Sequence, residues 1–230
     1  MSRVLALDLE PRTALPDFQA PRWLPVETEC VLVKSWRDGI PESPEGFTHI
    51  ILSGSTCSIT RDYPIVEPCE HLIREAAKMR IPILGICYGH QMIVRALLGV
   101  SHVRRAQVTE MGWMNVSWGE AGSDWFDGLP NPFRVFMGHF DEVHDLPDDW
   151  QITARTSDCA VQGFVNPKLR LLGTQFHPEM DLAVGNRCFI ADTVPLEKLG
   201  FNISEIVRAG SEDGSGKVIF PRFVNYRWPE

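Results

Sequence analysis

Short apolar runs alternate with amphipathic stretches along the first part of the chain. The runs VLALDL at 4–9, CVLVKSW at 30–36 and HIILSG at 49–54 are β-branched or aliphatic and end at turn residues, which predicts strands. The stretch EPCEHLIREAAKM at 67–79 spaces its apolar residues so that they share one face of a helix. This alternation of strands and helices is typical of an α/β fold.

The run IPILGIC at 81–87 is almost entirely apolar, as expected for a strand that is buried on both faces. The next residues, YGHQMIVRALLG at 88–99, place their apolar side chains at helical spacing and end at Gly99, a suitable residue for the end of a helix. The pattern therefore predicts a buried strand followed at once by a helix, with Cys87 at the junction.

The segment from 102 to 177 is richer in predicted strands, with the runs RVFMGHF, QITARTS, CAVQGFV and LRLLGTQFH. Helices are expected near 196–208 and near 218–226, and the proline-containing segment 10–23 is expected to be a surface loop. The chain has no internal repeat and no interdomain linker. We expect residues 1–230 to form a single α/β domain with a central, mostly parallel sheet flanked by helices.

Charge and hydropathy narrow the range of partners. The formal net charge is −8 and no cluster of Lys or Arg occurs, so we expect neither nucleic acid nor an anionic membrane as a partner. The N-terminus lacks the features of a secretion signal, and no stretch reaches about 18 consecutive apolar residues. A soluble, cytoplasmic protein that acts on a small polar compound fits these features.

Six cysteines are scattered through the chain without a CxxC pair, which argues against a disulfide framework and against a zinc knuckle. Most are expected to be small buried hydrophobic residues. They are Cys30, Cys57, Cys69, Cys87, Cys159 and Cys188.

Cys87 differs from the others in its predicted position. A side chain at the end of a central strand, on a tight turn into a helix, points out of the sheet toward solvent, and the helix N-terminus favours a thiolate. Gly85 and Gly89 would allow the sharp turn and close packing that such an elbow needs. The alternative is an ordinary core cysteine between two elements.

A second motif, GTQFHPEMD at 173–181, supplies partners for this thiol. An apolar strand ends at His177, and Pro178 spaces the histidine from Glu179. A carboxylate in that position can fix the ring tautomer while the other ring nitrogen faces the thiol. The two motifs together predict a Cys-His-Glu triad.

The motifs GICYGHQ and QFHPE closely resemble those of the class I glutamine amidotransferases. Further likenesses cover most of the chain. HIILSGSTCSI resembles the family's oxyanion-loop segment, and EMGWMNV resembles a stretch that follows the nucleophile helix. VFMGHFDEV resembles the family segment WMSHGDxV, and KVIFPRFVNY resembles the C-terminal helix. Among family members we expect the chain to be most similar to free-standing, GMP-synthase-like proteins, on the expectation that no synthetase domain follows residue 230. The resemblance implies a flavodoxin-like sheet with a nucleophile elbow.

The resemblance also implies roles in glutamine hydrolysis. Cys87 would attack the side-chain amide of glutamine, His177 would transfer protons, and Glu179 would orient His177. The product of the attack is a γ-glutamyl thioester, and ammonia leaves. No cofactor is expected.

By the same resemblance, the backbone N–H of Tyr88 and the loop at Gly54 and Ser55 would stabilise the oxyanion. The family's loop usually reads SGGP, whereas this chain has SGST, with Ser55 in place of the second glycine. If that glycine requires a positive φ, a serine is strained there, and the loop is expected to be displaced or weakened.

Substrate contacts are expected from Gln91, which matches a family position that holds the α-amino and carboxylate end of glutamine. A solvated helix residue is the alternative for Gln91. His139, Phe140 and Asp141 lie on the segment that resembles SHGD and would shape the substrate rim, with Phe140 in place of glycine. A metal site is not expected, because thiolate chemistry explains the spacing; its ligands would be His139, Asp141, His177 and Glu179.

Three functions are compatible with these residues. The first is a glutaminase that supplies ammonia to a separate synthetase or to a small acceptor. The second is a γ-glutamyl peptidase or hydrolase, which uses the same thioester but cleaves a different γ-glutamyl amide. The third is a binding or regulatory module that retains the fold without useful turnover.

Overall fold

The computed structural model describes residues 1–229, and their secondary structure alternates as the apolar pattern predicts. The strands are β1 (Arg3–Asp8), β2 (Glu29–Lys34), β3 (His49–Leu52), β4 (Ile83–Ile86), β5 (Val103–Trp118), β6 (Phe133–Val143), β7 (Gln151–Arg155), β8 (Gly163–Asn166) and β9 (Leu171–Thr174). The α-helices are α1 (Ser35–Asp38), α2 (Val66–Lys78), α3 (Tyr88–Leu98), α4 (Ser123–Phe126), α5 (Leu182–Ala191), α6 (Thr193–Lys198), α7 (Ile203–Arg208) and α8 (Ser215–Asn225).

Within residues 1–229 the strands form one nine-stranded sheet in the order β2-β1-β3-β4-β9-β8-β7-β5-β6. Strands β2, β1, β3, β4 and β9 run parallel, and β4 lies between β3 and β9. From β9 onwards the neighbouring strands pair in antiparallel fashion, ending with the long hairpin of β5 and β6. The predicted α/β fold with a parallel central sheet and flanking helices is confirmed.

Two hydrophobic clusters cover the two faces of the parallel part of the sheet. Alternate residues of β1 contribute to them: Leu5 and Leu7 pack with helices α2 and α3, while Val4 and Ala6 pack with helix α8. All four residues of β4 are buried. The end of β4 is therefore held from both faces, which gives the residue after it a fixed position.

The second half of the chain departs from the sequence prediction in its helices. The single helix expected near 196–208 is two helices, α6 and α7, separated at Gly200, where φ is 92°. The apolar pattern does not predict helix α5, although its N-terminus carries a recognisable cap in which the Asp181 carboxylate accepts a hydrogen bond from the Val184 N–H at 2.8 Å. Among residues 1–229, no helix combines the length and apolar character needed to cross a bilayer.

Two glycines bring the elbow helix against the sheet. A Cβ on Gly85 would lie 2.4 Å from the carbonyl oxygen of Gly89, and a Cβ on Gly89 would lie 2.5 Å from the carbonyl oxygen of Leu52. These contacts involve backbone atoms, which cannot rotate away. Helix α3 can approach strands β3 and β4 this closely only because both positions lack a side chain.

We predict that Gly89→Ala destabilises the protein by about 2 kcal/mol or more, because the added methyl group must displace backbone that is packed on both sides. Urea unfolding measures this change. Gly119→Ala is the matched control, since a Cβ at Gly119 would meet nothing within 4 Å and its φ is −104°. Equal stability of the two variants would contradict the close-packed elbow.

Candidate active site

The elbow places Cys87 between β4 and α3 in an unusual backbone conformation. Its φ is 49° and its ψ is −104°, a region that non-glycine residues rarely occupy. The conformation is held by hydrogen bonds on both sides: the Cys87 N–H donates to the Thr174 carbonyl at 2.8 Å, and the Cys87 carbonyl accepts from the Gln91 N–H at 3.1 Å. Such strained residues persist where the surrounding structure fixes them, and they are frequent at functional sites.

The Cys87 side chain faces a partly open cavity and is only 5% exposed. The sequence pattern predicts that it points toward solvent, and in that respect the prediction is wrong. The elbow does turn the thiol away from the sheet, but the hairpin of β5 and β6 covers it, with Sγ 3.7 Å from the carbonyl oxygen of Gly138. The thiol is therefore reached through the cavity.

His177 and Glu179 lie in the same cavity and are hydrogen-bonded to each other. Nδ1 of His177 is 2.7 Å from Oε1 of Glu179, and both side chains are buried. The backbone of His177 is fixed by its N–H, which donates to the Phe136 carbonyl at 3.0 Å, and the Phe136 ring packs edge-on against the imidazole. The structure thus places Cys87, His177 and Glu179 in one cavity.

The charges around His177 favour a cationic ring. Burial opposes protonation, but the negative charges of Glu179 and Cys87 outweigh this effect and raise the pKa of His177 from 6.5 to about 10. At neutral pH the imidazolium therefore lies between the Cys87 sulfur and the Glu179 carboxylate. This is the charge arrangement of an activated thiol nucleophile with its proton donor.

The loop after β3 forms the opposite wall of the cavity. A Cβ on Gly54 would lie 2.6 Å from Cε1 of His177, so only glycine allows the loop to touch the ring. Ser55 does not have a positive φ, and the strain expected for a serine at this position is absent. Within residues 1–229 the backbone N–H groups of Gly54, Ser55 and Tyr88 make no hydrogen bond. These N–H groups, all next to the nucleophile, are free to bind an anion.

Gln91 is 3% exposed, so the alternative of a solvated helix residue is wrong. Its Nε2 donates to the backbone carbonyl of Asp141 at 2.8 Å and to Oε1 of Gln175 at 2.9 Å. The Gln91 side chain lines the cavity, but its amide nitrogen is already used to hold the β6 backbone. Asp141 is also buried, and its Oδ2 accepts hydrogen bonds from the Ser58 hydroxyl at 2.6 Å and the Ile59 N–H at 3.0 Å.

His139 is buried and is engaged at both ring nitrogens. Nε2 lies 2.9 Å from Oε2 of Glu110, and Nδ1 lies 3.0 Å from the carbonyl oxygen of Asp141. Phe140 is half-buried and lines the cavity, and the guanidinium of Arg105 lies 4.6 Å from the centre of its ring. Phe140 and His139 both line the cavity, but both ring nitrogens of His139 are already engaged by Glu110 and by the Asp141 backbone.

The one group of potential metal ligands found among residues 1–229 differs from the four residues that the sequence offers as ligands. One donor atom from each of Glu110, His139 and Cys159 lies within 4.8 Å of the others, and all three residues are buried. Gln162 also donates to Glu110 Oε2, at 2.5 Å. Hydrogen bonds account for the contacts of Glu110 with His139 and Gln162, and the group lies outside the triad.

Much of the cavity wall corresponds to no pattern in the sequence. The segment 10–18, expected to be part of a surface loop, supplies one side, and the region around helices α5 and α6 supplies another. Nothing in the hydrophobic pattern indicates these contacts, because they join distant parts of the chain. The residues concerned are Glu10, Arg12, Leu15, Pro16, Phe18, Met180, Cys188, Asp192 and Leu196.

Comparison with known proteins agrees with this geometry. A sequence model of the family described as glutamine amidotransferase class-I matches residues 23–194. A subunit of the glutamine-hydrolysing GMP synthase of Methanococcus maripaludis is 32% identical over 190 residues, covering 80% of this chain and 90% of that protein. The corresponding GMP synthase subunit of Pyrococcus abyssi is 35% identical over 112 residues, covering 49% of this chain and 58% of that protein.

A solved structure extends the likeness over nearly the whole chain. The crystal structure of a glutamine amidotransferase from Thermotoga maritima superposes with a TM-score of 0.80 at 25% sequence identity. The match covers 97% of this chain and 98% of the Thermotoga chain. The likeness of fold therefore reaches beyond the residues that the family model matches.

We predict that brief, substoichiometric iodoacetamide treatment alkylates Cys87 before the other cysteines, with Cys57 second because it lies on the loop after β3 that faces the cavity beside the thiol. Peptide mapping measures the order, and Cys87→Ser is the control for the assignment. Cys87 lies in the cavity beside the cationic His177 ring, whereas burial raises the pKa of the other thiols, to about 12 for Cys69, Cys159 and Cys188 and above its usual value for Cys30 and Cys57.

Labelling of a different cysteine while Cys87 remains unmodified would identify Cys87 as an inert core residue.

Proposed function

The chain belongs to the glutamine amidotransferase class-I family, and we propose that it hydrolyses the side-chain amide of glutamine. The observation that carries the proposal is the meeting of three groups in one cavity: a thiol on a strained elbow, a cationic histidine and a buried carboxylate 2.7 Å from that histidine. These are the parts that nucleophilic cleavage of an amide requires.

In the proposed reaction the Cys87 thiolate attacks the amide carbon of glutamine. The negative oxygen that forms is held by the N–H of Tyr88 and by an N–H from the loop at Gly54 and Ser55. His177 gives its proton to the nitrogen, the carbon–nitrogen bond breaks, and ammonia leaves. Water, deprotonated by His177, then hydrolyses the γ-glutamyl thioester to glutamate.

Glu179 acts through His177 in this scheme. Its carboxylate accepts the Nδ1–H hydrogen bond, fixes the ring orientation and stabilises the imidazolium. It does not touch the substrate.

A separate synthetase that receives the ammonia is part of the proposal. The relatives from Methanococcus and Pyrococcus are each named as one subunit of a glutamine-hydrolysing GMP synthase, which supports an arrangement with a second polypeptide.

A γ-glutamyl hydrolase is the second candidate, and one observation favours it. The cavity continues from the thiol to apolar side chains of the segment 10–18 and of helix α6, including Leu15, Phe18 and Leu196. An amine that leaves as ammonia makes no use of such a wall, whereas an apolar amine would contact it. A non-catalytic module is less well supported, because the expected strain at Ser55 is absent.

We predict that Cys87→Ala and His177→Ala each reduce release of ammonia and glutamate from L-glutamine by at least about 1000-fold, because each removes a group that takes part in bond making. Glu179→Gln should retain about 10- to 100-fold more activity than His177→Ala, because it removes only the orienting charge. The rates are measured with a coupled glutamate assay.

His144→Ala is the matched control, since His144 also pairs with a carboxylate, that of Asp145, but does not line the cavity. Substantial glutaminase activity in His177→Ala would exclude the proposed triad.

The apolar wall gives a second prediction, which separates the two candidates. Leu15→Asn should lower kcat/KM for a γ-glutamyl anilide by about tenfold, equivalent to about 1.4 kcal/mol. For L-glutamine, kcat/KM of the variant should stay within about threefold of the wild-type value. The neighbouring variant Ala14→Asn serves as the control, because Ala14 is exposed and lies outside the cavity lining. Failure of the wild-type protein to cleave the anilide would eliminate the hydrolase candidate.

A further inference from the structure

We propose that Arg105 binds the α-carboxylate of the γ-glutamyl substrate, and that Asp141 binds its α-ammonium group through Oδ1. The inference rests on the proposed function and names a residue that determines substrate specificity. It would restrict the enzyme to glutamyl groups with a free amino-acid end, as opposed to glutamine within a peptide chain.

Besides His177 of the triad, the cavity offers two cations that could receive a carboxylate. Among the described residues that line it, Arg12 and Arg105 carry permanent positive charge. Arg12 is already occupied: two of its nitrogens bind the Asp192 carboxylate at 2.7 and 3.0 Å, and a third binds Glu10 at 3.1 Å. A carboxylate ligand would have to break this bidentate pair to reach Arg12.

Arg105 is held much more loosely. Its NH1 lies 3.5 Å from Oδ1 of Asp141, longer than a charge-assisted hydrogen bond, and its side chain is 62% exposed. The guanidinium rests over the Phe140 ring, a contact that orients the plane without using its N–H donors. Arg105 therefore presents a positioned cation whose donors are available to a carboxylate.

Asp141 provides the opposite charge next to it. Its Oδ2 is fixed by Ser58 and Ile59, whereas Oδ1 has no hydrogen-bond partner although the side chain is only 5% exposed. Apart from the 3.5 Å contact with Arg105 nothing reaches Oδ1, and a buried carboxylate oxygen without a hydrogen-bond donor is costly. An ammonium group is such a donor, and the pair formed by Arg105 and Asp141 matches both charges of an α-amino acid.

The position along the hairpin suits a γ-glutamyl group. Arg105 on β5 is paired with Asp141 on β6, and Gly138, three residues earlier on β6, contacts the Cys87 thiol. Three strand residues span about 10 Å. The long, flexible arginine side chain lies over the intervening Phe140, which shortens the distance that a glutamyl chain must bridge between the thiol and the guanidinium.

This assignment changes the role expected for Gln91. The family resemblance gives the amino-acid end of the substrate to Gln91, but its Nε2 is bound to Gln175 and to the backbone of Asp141. We assign Gln91 as a positioning residue that holds the Asp141 backbone in place.

The test compares Arg105→Gln with Arg104→Gln in the full-length protein. Arg104 is the neighbouring arginine, pairs with Glu142 at 2.8 Å and does not line the cavity. Two substrates are used: L-glutamine, and 4-aminobutanamide, which has the same amide and amine but no α-carboxylate. Thermal melting of both variants establishes that each is folded.

We expect Arg105→Gln to raise KM for L-glutamine about 10- to 100-fold while kcat changes less than about threefold, because a binding contact is lost and the chemistry is intact. For 4-aminobutanamide, kcat/KM of Arg105→Gln should lie within about twofold of the wild-type value. Arg104→Gln should match the wild type with both substrates. An Arg105→Gln variant that behaves as Arg104→Gln does, or that loses activity equally toward both amides, would overturn the inference.

Protection from alkylation separates this inference from the proposed function. L-Glutamine should slow iodoacetamide labelling of Cys87 in the wild type and in Arg104→Gln, but not in Arg105→Gln. If the wild type releases no ammonia yet shows this Arg105-dependent protection, the proposed hydrolysis fails and the binding assignment holds. Absence of protection in the wild type, without turnover, would reject both.

Discussion

The buried hydrogen bond between His177 and Glu179 is the interaction on which the candidate active site depends. Without the carboxylate, burial would favour a neutral imidazole, and the thiol would lose its cationic neighbour. Two features fix the geometry of this pair. Only Pro178 separates the two residues in the chain, and the His177 N–H is hydrogen-bonded to the Phe136 carbonyl on β6. The charge state of the site is thus set by a local sequence motif and held in place by a long-range strand contact.

The local parts of this arrangement are the parts that the sequence predicts well. The strand that ends at Ile86, the helix that begins at Tyr88 and the motif around His177 all follow from apolar runs and turn residues close together in the chain. The pairing of Glu110 with His139 could not be predicted, because it depends on the register of β5 against β6. A hairpin with an irregularity between Arg105 and Glu110 leaves no periodic signal from which that register could be read.

Ser55 and Gly54 also have conformations that the sequence does not predict. The replacement of a family glycine predicts strain at Ser55, but strain depends on φ, and the backbone there does not need a glycine. At Gly54 the reverse holds: its φ is not positive, and glycine is required because the His177 ring lies where a Cβ would be. Space and backbone angle are independent reasons for a glycine, and a sequence alone does not tell them apart.

The carboxylate of Glu10 links the two loops that border the cavity. One of its oxygens accepts from the Arg12 side chain, and the carboxylate also accepts from the N–H and the hydroxyl of Thr56, at 2.7 and 2.9 Å. The segment 10–18 and the loop after β3 therefore become ordered together. Ordering the loop that carries the Gly54 and Ser55 N–H groups costs conformational entropy, and the Glu10 carboxylate couples this cost to that of ordering the segment 10–18. The Glu10 carboxylate therefore joins the loop beside the Cys87 thiol to the apolar side of the cavity.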